Sequence, residues 1–170
     1  MKREIPKKNY FFVGLISVVV VIVVLYLAKL YTTNNINRES SIMSNYLSNI
    51  TIEELNNYLL ENPDVVIYWD NKANIENTSF EKKLKKYIIK NDLQRKFVFV
   101  DTTEVTNSEL KVIADKYLDK SLKDKRVNLK TMPNLLILVD GKIVDVLYTF
   151  DQEMDMDYLK EKFEKYEVVE

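Results

Sequence analysis

From Tyr10 to Leu27 the chain reads YFFVGLISVVVVIVVLYL, eighteen residues without a charge. As a helix this run spans about 27 Å, close to the hydrocarbon thickness of a bilayer. Nothing else in the sequence limits folding so strongly, because an all-apolar helix has no polar face to offer water. The run is too long for the apolar core of a typical signal peptide. Ala28-Lys29-Leu30-Tyr31 follows it, with no small-x-small cleavage site. Residues 10–28 therefore read as an uncleaved transmembrane signal anchor. A cleaved signal peptide and a buried soluble helix are the alternatives, and Val-rich runs of this length seldom form soluble helices.

The flanks set the orientation. Lys2, Arg3, Lys7 and Lys8 precede the span, whereas Lys29 and then Arg38 follow it. The positive-inside rule places residues 1–9 as a cytoplasmic tail and the remainder outside the cytoplasm. The expected localisation is a single-pass bacterial cell-membrane protein with its C-terminal domain on the envelope side. Residues 29–41 read as a polar linker and residues 42–170 as a folded domain. Setting aside the charges that flank the span leaves about −5 on the outer part. That balance is a poor match to nucleic acid, which demands a basic face, and to a flat anionic lipid surface. Abundant Lys, Asn and Ile with two glycines is the composition of proteins from AT-rich bacterial genomes.

The chain has no cysteine and no histidine. Thiol–disulfide exchange needs a thiolate, so that chemistry is excluded. Ser/His/Asp and Cys/His nucleophilic apparatus is excluded with it. No cofactor and no metal site are expected. Asp151, Glu153, Asp155 and Asp157 form an acidic ladder, but Met156 stands where a calcium loop needs glycine. Acids near a helix start are explained by the helix dipole. Two glycines, Gly14 in the span and Gly141 in a turn, leave no phosphate-binding glycine loop. The lysine clusters at 82–86 and 120–130 read as solvated faces.

The outer part alternates strand and helix patterns. Ile42–Leu47 reads as a short first strand. Thr51 and Glu54 form a capping box opening a helix, which Asn62-Pro63-Asp64 stops. Val65–Trp69 is a short continuous apolar run, as expected of a strand buried on both faces. Asp70–Thr78 is a loop. Asn77–Lys90 returns to helical spacing, with Phe80, Leu84, Tyr87 and Ile88 on one face. Phe97–Val100 is a second buried strand ending at Asp101. A helix over 108–118 and a polar loop over 119–130 follow. Leu135–Val139 and Lys142–Thr149 flank Asp140-Gly141, a type I′ hairpin pair. A helix over 154–166 closes the chain. The order predicts an α/β fold: a mixed sheet flanked by helices, with Val65–Trp69 and Phe97–Val100 central.

Over residues 51–167 this order resembles the thioredoxin superfamily. Three segments carry the resemblance: Val65–Trp69 running into a loop and a helix, Phe97–Asp101, and Thr131-Met132-Pro133 followed by a strand, Asp-Gly and a strand. The resemblance implies a thioredoxin-like domain in which Pro133 is a cis proline beside the active-site loop and the segment at Met132 pairs with bound peptide. Where the family holds its two cysteines, this sequence holds Asn74 and Asn77. Neither is a redox group, and asparagine at a helix start caps backbone N–H groups.

The expectation for function is a non-catalytic, membrane-anchored thioredoxin-like domain that binds a protein or peptide on the envelope side. Trp69, Asn74, Asn77, Met132 and Pro133 are its expected partner-binding residues. No nucleic acid is expected as partner, and no enzyme activity. Two alternatives stand beside it. One is a carboxylate-dependent enzyme using Asp70, Glu76 or Asp101 at the carboxyl ends of the strands. The other is a structural spacer or oligomerisation domain.

Overall fold

A computed structural model describes residues 7–36, 40–125, 127, 129–130, 134–148 and 156–169. The chain divides into two compact units, Met1–Arg38 and Glu39–Glu170.

The first unit is one helix, α1, from Lys7 to Ile36. Its stretch Gly14–Tyr31 is apolar and long enough to cross a membrane. The helix continues through part of the polar stretch that reads as linker, because nothing from Ala28 to Ile36 is a proline or glycine that would stop it.

The second unit is α/β. Its described elements are α2 (Ile42–Tyr46), β1 (Ser48–Ile50), α3 (Ile52–Glu61), β2 (Val65–Asp70), α4 (Thr78–Lys90), β3 (Phe97–Asp101), α5 (Asn107–Tyr117), α6 (Lys120–Asp124), β4 (Asn134–Val139), β5 (Lys142–Tyr148) and α7 (Met156–Lys165). A 3₁₀ turn at Gln94–Lys96 leads into β3. Five strands form one sheet in the order β1-β3-β2-β4-β5. β1, β3 and β2 run parallel, and β4 and β5 are antiparallel. Asp140 and Gly141 take φ of 51° and 69°, as the type I′ hairpin requires.

The central strand explains the two-sided core. Alternate residues of β2 point to opposite faces. Val65, Ile67 and Trp69 join a cluster with Leu55 and Leu59 of α3 and Leu110 and Ile113 of α5. Val66 and Tyr68 join the other, with Leu84 and Ile88 of α4 and Leu159 and Phe163 of α7. Both faces of β2 are therefore apolar, which is why its sequence reads as a run rather than an alternation.

Two expectations differ. Ile42–Leu47 is not a strand: Ile42–Tyr46 is a helical turn, and the first strand is Ser48–Ile50. Ser41 caps that turn, its hydroxyl accepting from the Ser44 N–H at 3.2 Å. The polar stretch after α5 contains α6, opened by Asp119, whose carboxylate accepts from the Ser121 and Leu122 amides.

Candidate functional site

β2 ends at Asp70, beside Asp101 at the end of β3. The loop that follows is built from asparagines. The Asp70 carboxylate accepts from the Asn71 N–H at 2.7 Å and from Asn74 Nδ2 at 3.0 and 3.2 Å. Asn71 Oδ1 accepts from the Ala73 N–H at 2.7 Å, and Asn74 Oδ1 from the Glu76 N–H at 3.0 Å. These are Asx turns, in which a short side chain replaces a backbone acceptor. Thr78 closes the loop by donating its hydroxyl to the Ile75 carbonyl at 2.6 Å. Ile75 stands out to solvent at 51 % exposure.

Burial dominates the electrostatics. Asp70 is 1 % exposed, and its pKa rises to about 6. Loss of water is the main cause; the Asn74 and Asn71 hydrogen bonds oppose it, and Glu81 and Glu76 add to it. Asp101 lies the other way. Partial burial would raise it, but the Thr103 hydroxyl and amide and the Lys72 ammonium, 3.2 Å away, hold it below the ordinary carboxylate value.

Behind the loop lies a buried polar cluster that the sequence reading missed. Glu81, 1 % exposed, accepts from the Ser41 hydroxyl at 2.5 Å and the Ile42 N–H at 2.7 Å. The Ser41 N–H in turn donates to the Lys72 carbonyl at 2.8 Å. Glu81 thus ties the start of the globular unit to α4, and Ser41 ties it to the loop. The fully buried Tyr68 hydroxyl has no hydrogen-bond partner among the described residues. Burial first, then the charges of Glu81 and Asp70, push its pKa far above the ordinary phenol value. The signal for Glu81 was present: it precedes Leu84 by three residues and Ile88 by seven, so it shares their inward face.

The expected site residues part company. Asn74 holds the loop as described. Asn77 stands at the N-cap of α4 but makes no side-chain capping bond, and its Nδ2 is buried without a partner among the described residues. Asn74, rather than Asn77, satisfies a backbone N–H, and it does so inside the loop. Trp69 does not overlook the surface. It is 0 % exposed in the α3/α5 core, with its indole N–H donating to the Leu129 carbonyl at 3.3 Å. Odd positions of β2 face that core, so a residue at 69 is committed to it. Met132 and Pro133 lie outside the described residues, as do Asp151, Glu153 and Asp155.

Two hollows adjoin the loop. A shallow one of about 390 Å³ is lined by Asp70, Asn74, Ile75 and Glu76. A cleft of about 370 Å³ lies between Lys72, Asp101 and Thr103 and the N-terminal ends of α3 and α5. Among the described residues no group of three or more acids is placed to hold a metal ion. No protein-family model matches the chain, and no protein of curated function matches it.

Proposed function

We propose that the globular unit is a cysteine-free, thioredoxin-like domain, held at a bacterial membrane by α1, that binds a protein or peptide on the envelope side without catalysis. The observation that carries this reading is the loop over 71–77. It leaves the carboxyl end of a central strand, is held by its own asparagine side chains, and presents Ile75 to solvent with no thiol beside it. A preorganised loop loses little freedom on binding, which favours recognition. The sheet order, with three parallel strands and a final antiparallel hairpin, supports the thioredoxin-like part of the reading. The positive N-terminal flank supports the orientation.

One observation favours the carboxylate-enzyme alternative: Asp70 is a carboxyl with a raised pKa beside a hollow. Against it stand the 1 % exposure of Asp70 and the occupation of its oxygens by Asn71 and Asn74. The test is site-specific photo-crosslinking of the full chain in its own membrane. A crosslinker at Ile75 is expected to yield a discrete protein adduct, and one at Leu60 on α3 is not. An adduct that survives Asp70→Asn supports binding over acid–base chemistry. Identical adducts from both positions, or none from Ile75, would sink the binding reading.

A further inference from the structure

α4 carries Lys82, Lys83, Lys85, Lys86 and Lys90 against a single acid, Glu81. Glu81 is buried and bonded to Ser41 and Ile42, so it presents no carboxylate at the surface of the helix. Lys82, Lys83, Lys86 and Lys90 are exposed, and among the described residues none of them is in an ion pair. Ile89 sits in their midst at 57 % exposure. At helical spacing Lys82, Lys86, Ile89 and Lys90 share one stripe. Ile89 among these lysines can lie at a bilayer interface, where lysine stems follow the apolar zone and ammonium groups stay with the headgroups.

One helix of the unit is charged the opposite way. α3 carries Glu53, Glu54 and Glu61 and no base. It packs on the other side of the sheet from α4. Charge is therefore unevenly spread: α3 is acidic and α4 basic on opposite faces of the sheet, while α6, on the side of α3, adds Lys120 and Lys123. Anionic headgroups would attract α4 and repel α3.

The chain also enters the globular unit on this helix. Ser41 and Ile42 bond to Glu81, and Lys85 Nζ lies 4.6 Å from the centre of the Tyr46 ring. Only three residues of sequence separate Ile36, the end of α1, from Ser40. If α1 is anchored in a bilayer, so short a tether raises the effective concentration of headgroups around whatever the tether joins. From charge complementarity and the point of entry we infer that the exposed face of α4 is a docking face for anionic lipid headgroups. The inference rests on the anchor reading of α1 and is independent of what the 71–77 loop binds.

The absence of native cysteine makes the test direct. Full-length Ile89→Cys, labelled with an environment-sensitive fluorophore, is reconstituted into nanodiscs of zwitterionic lipid alone or with anionic phosphatidylglycerol. Leu60→Cys, 78 % exposed on α3, is the control. The label at position 89 is expected to shift to the blue and to resist an aqueous quencher in anionic discs only. Salt should reverse the effect, because exposed charges are screened within about 8 Å at physiological ionic strength. Each lysine is expected to change the docked-to-undocked ratio by about fivefold, so replacing Lys82, Lys86 and Lys90 together by Gln should lower it about a hundredfold. Equal signals in the two lipids, or equal protection at positions 60 and 89, would overturn the inference. So would protection at 89 by soluble polyglutamate but not by anionic discs, which would make α4 a site for an acidic protein. Failure of the chain to co-float with vesicles of either lipid would instead remove the anchor.

Discussion

Asp70 offers the sharpest test of how burial governs the loop. Its folded pKa of about 6 stands roughly two units above the ordinary aspartate value. A carboxyl whose pKa is raised by folding holds its proton more tightly in the folded state, so acid favours folding. The contribution is complete below about pH 4 and is lost as pH rises through about 6. Working the two titrations through gives a gain of about 1 kcal/mol from pH 7 to pH 5 and about 2 kcal/mol by pH 4. Asp101 is held low, so its contribution is lost only as pH falls below the ordinary carboxylate range. With no histidine in the chain, the window from pH 7 to 5 isolates Asp70 well. Trp69 is the single tryptophan and is fully buried, so its fluorescence follows urea unfolding of the full chain in detergent. Asp70→Asn keeps one acceptor oxygen for the Asn71 N–H and removes the titration. The wild type should gain about 1 kcal/mol on the variant from pH 7 to pH 5. The offset at pH 7 mixes relief of a buried charge with a lost Asn74 bond, so the difference in slope carries the test. Parallel curves over that range would refute the burial argument.

Three further outcomes are expected. Glu81→Ala strands the Ser41 hydroxyl and the Ile42 N–H, costing about 2–4 kcal/mol in the urea titration, with Glu81→Gln costing less; a loss below about 0.5 kcal/mol would contradict it. Native Trp69 emission should be blue-shifted and shielded from acrylamide, and Trp69→Ala should cost about 3–5 kcal/mol; ready quenching in the folded protein would restore Trp69 to the surface. Insulin reduction by the purified chain should match buffer, because there is no thiol to exchange.

Much of the architecture was legible because local patterns and the fold agree. Val65–Trp69 and Phe97–Val100 read as buried strands and pair with each other at the centre of the sheet. Asp140-Gly141 read as a type I′ turn and takes positive φ at both positions. Ile42–Leu47 misled because a short apolar run carries no length to separate strand from helix, and the decision fell to a cap and a distant acid: Ser41 and Glu81. The local bonding of Asn74 was legible in the sequence, and the burial of Trp69 on the α3 side was not. Asparagine in a polar loop makes local bonds, which sequence reveals. Which core a central-strand aromatic enters depends on partners far along the chain, here α3, α5 and Leu129.

The sequence alone determined what chemistry is absent and which segment can cross a membrane. Both follow from composition, since a missing thiol cannot be supplied by folding and an uncharged eighteen-residue run is apolar in any conformation. Tertiary structure alone decided what makes the burial of Glu81 tolerable, the Ser41 hydroxyl and the Ile42 N–H brought to it from forty residues away. Glu81 and the exposed lysines of α4 lie within ten residues of one another, with the same charges in any extended chain. Packing against Leu84, Ile88 and the Ser41–Ile42 segment takes the acid inside and leaves the lysines out. The basic face therefore exists only in the folded unit, because a charge's environment is set by what packs around it rather than by its neighbours in sequence.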